Sequence, residues 1–288
     1  MTAIDFYRIT CRTLEELARM RGVKDLEKYY FLTDYLAFPQ LGSFREVEQA
    51  FMQIAFHGQN ATMISNIVSF EKNYEALKTV LCDFNPHKFL ETYSANKRDE
   101  NVSRLISAFR EAGLTWNSGK STKSPDAIMR RYSNTLLDAA EYLIAFNCKS
   151  EIVQDLLVHY QNGDTECLVK YFKEKIKSGF SVALTCDFLK EYAPEFSNLP
   201  KPDVHIMDTM RALLNRDKNY YAYDKGAYRC IKDLQNIVGE INCELKKTNE
   251  REITVYQLDR MIWLICADKF FLDEGPSNSK ALYLSFLG

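Results

Sequence analysis

The sequence predicts an all-α protein, on three observations. Apolar residues recur at spacings of three and four nearly throughout, the period of a helix with one buried face. No run of alternating apolar and polar residues is long enough to predict a strand. Only 11 Gly and 7 Pro punctuate 288 residues, fewer than a strand-and-turn architecture usually needs. With 46% hydrophobic and 13% aromatic residues the chain can bury a sizeable core, as one large domain or two lobes sharing a cleft.

Along the chain, Gln59-Asn60-Ala61-Thr62 reads as a polar turn or a helix N-terminus. Turn signals follow at Asn117-Ser118-Gly119-Lys120 and at Gln161-Asn162-Gly163-Asp164. Leu136, Leu137, Ala140, Leu143 and Ile144 make one helical stripe, and Ile152, Val153, Leu156 and Leu157 another. Asp164 and Thr165 can cap a helix with Leu168, Phe172 and Ile176 on its apolar face. The short turn Lys177-Ser178-Gly179-Phe180-Ser181 leads into a second helix packing Val182, Ala183, Cys186 and Leu189. The two form a hairpin over 165–193. Pro194, Pro200 and Pro202 then break the chain, and Asp203 stands where the next helix begins, with Ile206, Met207 and Met210 on its buried face. Two further stripes run through Ile231, Leu234, Ile237, Val238, Ile241 and Leu245, and through Leu258, Met261, Ile262 and Ile265.

Composition limits function. A formal charge of −2 argues against a body wrapped in nucleic acid, though a small basic footprint is compatible with it. Eight scattered cysteines without a CxxC pair read as reduced core thiols of a cytoplasmic protein, with no metal site. The N-terminus has no basic segment followed by an apolar run, and no apolar stretch approaches the roughly 18 residues that span a membrane. No signal peptide and no membrane partner are therefore expected.

The turn of the hairpin has a specific physical use. Its Gly lets the backbone approach another chain, and the second helix offers unpaired N–H groups at its start. Together they suit a DNA phosphate. Taken alone, this is also the form of an ordinary αα-turn, Asp203 that of a plain N-cap, and His205 that of a satisfied buried histidine.

Taken in order, with 22 residues from Ser181 to Asp203, these features resemble the helix-hairpin-helix/Gly-Pro-Asp superfamily of DNA base-excision glycosylases. Gly179, Val182-Ala183, Pro202-Asp203 and His205 carry the likeness, which covers about 165–210. Lys177 replaces the first Gly of the usual hairpin. The resemblance implies two helical lobes flanking a cleft. Residues 46–202 would form a bundle containing the hairpin, and 1–45 with 203–288 a second lobe carrying Asp203 at its start. It also implies that a modified or damaged base is flipped from double-stranded DNA and cut away by a monomeric enzyme without cofactor.

Asp203 would be the catalytic carboxylate, stabilising the cation that develops at C1′ or activating water. Lys177, Ser178, Gly179, Phe180 and Ser181 would bind DNA, while Gln59 and Asn60 would fill the gap left by the base. Bifunctional members carry lysine where Ser181 stands, so base release without strand cleavage is expected. The spacings of Cys230, Cys243 and Cys266 do not suit the iron–sulfur branch. Trp116, Tyr132 and Phe180 are candidate stacking rings, and Lys120, Lys123, Arg130 and Arg131 a candidate phosphate cluster. Two alternatives remain: a catalytically silent DNA-binding module, and a bifunctional glycosylase/lyase using Lys177 or Lys201. The excised base, whether alkylated, oxidised or hypermodified, is not legible.

Overall fold

A computed structural model describes residues 1–22, 46–60, 70, 72–94, 97–114, 125–267 and 279–287. Among them are thirteen α-helices and no strand, so the chain is all-α. In order they are α1 (Ala3–Met20), α2 (Glu46–Gly58), α3 (Tyr74–Val80), α4 (Pro86–Tyr93), α5 (Arg98–Glu111), α6 (Pro125–Leu143) and α7 (Lys149–Val158). There follow α8 (Thr165–Lys175), α9 (Val182–Tyr192), α10 (Val204–Leu213), α11 (Tyr223–Lys247), α12 (Val255–Ala267) and α13 (Ser279–Leu287). The candidate residues Trp116, Lys120 and Lys123, the turn at 117–120, and Ala61 and Thr62 lie outside the described residues. None of the described helices is long and apolar enough to cross a membrane.

The chain divides into two compact units, Met1–Ala37 with Leu189–Gly288 and Phe38–Phe188. The division falls within α9, upstream of the proline-bearing segment at 194–202.

In the first unit α11 and α12 supply the expected stripes. Leu234, Ile237, Val238, Ile241 and Leu245 pack with Leu258, Met261, Ile262 and Ile265 in one core. Phe6, Leu14 and Leu17 of α1, Ile206 and Met210 of α10, and Tyr283 of α13 complete it. The buried Tyr283 hydroxyl is satisfied by Thr10 at 2.8 Å, so this core carries an aromatic ring without an orphaned oxygen.

In the second unit α6 is the central helix, packed by α2, α4 and α5. Leu136, Leu137, Ala140 and Leu143 are fully buried, but Ile144 falls in the turn after α6 and is exposed. Tyr132, a candidate stacking ring, is core as well: it is fully buried and its hydroxyl donates to the Ala55 carbonyl at 2.9 Å. The thiols also depart from expectation. All eight are free, yet only Cys186, Cys230 and Cys266 are buried, while Cys167 and Cys243 are exposed. Their polar-facing helix positions, and not the residue type, decide this.

Candidate functional site: a braced hairpin and an aspartate N-cap

The hairpin forms as its caps dictate. Asp164 accepts the Cys167 N–H at 3.0 Å and starts α8, whose Leu168 and Phe172 are buried. α8 ends at Lys175, so the buried Ile176 is its C-cap and not part of the helix. Ser181 starts α9 by accepting the Leu184 N–H on Oγ at 3.3 Å. Between them Gly179 takes φ +85°, in the left-handed region that favours glycine.

Two side chains of α6 brace the turn from behind. The Asp138 carboxylate accepts the Lys177 N–H at 3.0 Å and pairs with Arg98. Burial pushes the Asp138 carboxyl above its ordinary value, against the Arg98 guanidinium and the turn's N–H groups, which pull it down. The Thr135 hydroxyl lies 2.9 Å from the Ser178 carbonyl and 3.0 Å from that of Arg131. A Cβ on Gly179 would fall 2.2 Å from the Thr135 Oγ1. The methyl group of Thr135 in turn would stand 3.4 Å from a Cβ on Gly58, at the end of α2. Thr135 therefore brings the hairpin beside the segment carrying Gln59 and Asn60.

Of the residues expected to meet DNA, Lys177 and Ser181 are exposed and Ser178 is half-buried. Phe180 differs from the expectation: its side chain is only 5% exposed and packs edge-on against Phe172, centroids 5.3 Å apart. Neither its ring nor its backbone is open to a ligand, and Gly179 beside it is buried as well. Gln59 is likewise 5% exposed and its Oε1 accepts the Phe70 N–H at 3.0 Å, while Asn60 is exposed. Arg130 pairs with Asp99 at 3.1 Å.

Asp203 belongs to the other unit. It is the N-cap of α10, with φ −91° and ψ −175°, and Oδ1 accepts the N–H groups of His205 at 2.8 Å and Ile206 at 3.2 Å. Asp203 is half-buried, and among the described residues only Oδ1 takes a hydrogen bond, so one oxygen is committed to the helix and the other is not. The segment before it is fixed by Asp259 of α12. This buried carboxylate pairs with Lys190 and accepts the Lys201 N–H at 3.2 Å. Burial holds the His205 imidazole below the usual histidine value, against Asp203, whose charge raises it. His205 is therefore neutral near pH 7, and its buried Nδ1 has no hydrogen-bond partner among the described residues.

Thr135, Asp138 and Asp259 are the supporting residues that sequence reasoning missed. Their signal was present: each is a short polar residue at a helix position otherwise given to the apolar face. No family model, no curated protein and no solved structure matches this chain.

Proposed function

We propose that the protein is a monofunctional DNA glycosylase, with Asp203 as the catalytic carboxylate and the turn at 177–181 as a phosphate contact. The observation that carries this reading is the place of Asp203 after the hairpin turn, with Oδ1 bonded into the helix and Oδ2 unbonded. A carboxylate held by backbone N–H groups stays aligned, and the helix N-terminus favours its charged form. The unbonded oxygen can then face the cation that grows at C1′ as the base leaves. A plain aspartate cap has the same split, and what favours the catalytic reading is its place 22 residues after Ser181 of the hairpin turn.

The hairpin supports the reading through its rigidity. Asp138 and Thr135 fix the turn, Gly179 lets it close onto Thr135, and the first turn of α9 offers N–H groups. In this reading the units are the two lobes of a helix-hairpin-helix enzyme that flips its target base. The protein acts on double-stranded DNA as a cytoplasmic repair or modification-removing enzyme. The alternative, a silent DNA-binding module, has no use for a carboxylate with an unbonded oxygen near phosphate, which repels it.

The test is Asp203→Asn, assayed on duplexes bearing alkylated, oxidised or hypermodified bases with detection of released base. Asparagine is also a good N-cap, so the fold should keep its stability within roughly 0.5 kcal/mol. Base release should fall at least about a hundredfold, the scale of a lost charge-stabilising group. Duplex affinity should hold or rise. Retention of most of the single-turnover rate would overturn the assignment of Asp203.

A further inference from the structure

The connection between α10 and α11, with the first turns of α11, carries a surface that neither the hairpin nor Asp203 uses. Over 216–232 the chain has five Lys or Arg against two Asp, on a body of formal charge −2. Tyr220 lies between Arg216 and Arg229, each guanidinium 4.7 Å from its ring centroid. It packs edge-on against Tyr221, centroids 4.9 Å apart. Tyr221 is buried and its hydroxyl donates to Asp233 at 2.7 Å. Gly226 sits so close that a Cβ there would meet the Tyr221 carbonyl carbon at 2.1 Å. The connection is thus seated firmly on α11.

Tyr223 projects from that seat. It is 92% exposed and its backbone has φ +62°. A bulky aromatic is rare in that region of backbone space, and in water its ring buries no apolar area to offset the strain. Beside it an open depression of 460 Å³ is lined by Asn219, Ala222, Tyr223, Lys225 and Arg229.

We propose that this surface binds a single-stranded nucleic-acid segment, one base stacking on Tyr223 and the adjoining phosphates meeting Lys225 and Arg229. An exposed ring flanked by cations matches an unpaired nucleotide, which offers a π-face and a negative charge one backbone step apart. A duplex hides its base faces. A protein partner would need apolar area around Tyr223, and apart from the small Ala222 the neighbours there are Asn, Lys, Asp and Arg. The proposal shares only its partner class with the glycosylase reading and requires neither Asp203 nor the hairpin.

The test is fluorescence anisotropy with a labelled single-stranded oligonucleotide of mixed sequence, beside a matching strand whose bases have been removed. Wild-type protein should bind the base-bearing strand at least about fivefold tighter than the abasic one, the lower end of one stacked base. Tyr223→Ala should erase that preference, and Tyr223→Phe should keep it. Lys225→Ala should flatten the slope of log affinity against log salt by about 0.7, the value for one phosphate of a single strand. Equal binding of the two strands, or an unchanged preference in Tyr223→Ala, overturns the proposal. Asp203→Asn should bind the strand as wild type does, so loss of base release and loss of strand binding are separable failures.

Discussion

At φ +85°, with the Thr135 hydroxyl where a side chain would begin, Gly179 admits no other residue without movement of its surroundings. Gly179→Ala combines backbone strain with a clash against a buried, hydrogen-bonded side chain. Each is on the order of 1 to 3 kcal/mol, so a loss of roughly 2 kcal/mol or more is expected in urea denaturation. Adding Thr135→Ala should recover only part of it, because removing the hydroxyl relieves the clash and leaves φ unchanged. Full recovery would show that the strained backbone contributes nothing. His205 gives a second expectation at this scale. Its folded value lies below the unfolded one of about 6.5, because burial outweighs the pull of Asp203. As pH falls below about 6.5 the unfolded chain takes up the proton first, so stability declines through that window and is regained as pH rises. His205→Gln should flatten the decline in denaturation midpoints measured from about pH 5 to about pH 7.

At the scale of elements, the hairpin decides the fate of the DNA strand in the proposed reaction. A lyase needs an unprotonated amine that can reach C1′. Ser181 has none, and its Oγ is occupied with the Leu184 N–H at the start of α9. Borohydride should therefore trap no covalent complex with wild-type protein, and the product should be an intact strand with an abasic site. Ser181→Lys gives up the cap, costing about 1 kcal/mol, and should gain weak trapping if desolvation lowers the new amine's pKa. Efficient trapping by wild type, lost on replacing Lys177 or Lys201, would point instead to a displaced nucleophile. The hairpin's helices, the Asp164 cap and the Asp203 cap were legible because each depends on neighbours three or four residues away. The brace was not. Asp138 and Thr135 reach Lys177 and Ser178 across 39 and 43 residues of chain, and no local period reports such a pairing. The burial of Phe180 and Gln59 was lost for the same reason: Phe188 and Phe70, which flank them, come from later segments.

Across the whole molecule, the all-α class follows from periodicity and few breakers, and charge is the quantity that most constrains a DNA partner. A body of formal charge −2 attracts no duplex by its net field, so affinity has to come from a local footprint. The described cations near the hairpin are unequal in this. Lys170 is tied to Glu166 at 2.7 Å and Lys175 lies 4.9 Å over the Tyr171 ring, whereas the Lys177 side chain stands exposed at the turn itself. A footprint of that kind neutralises few phosphates. The slope of log affinity against log salt on duplex DNA should then fall between about −1 and −3, at roughly −0.9 per phosphate. Lys177→Ala should flatten it by about 0.9, since one contact is removed with no loss of buried area. Tyr223→Ala should leave the duplex slope unchanged, because stacking on an unpaired base has no counterpart in a closed helix. Duplex titrations between about 50 and 200 mM salt read all three. An affinity indifferent to salt would exclude phosphate neutralisation as the source of binding, and with it duplex DNA as the ligand of the hairpin.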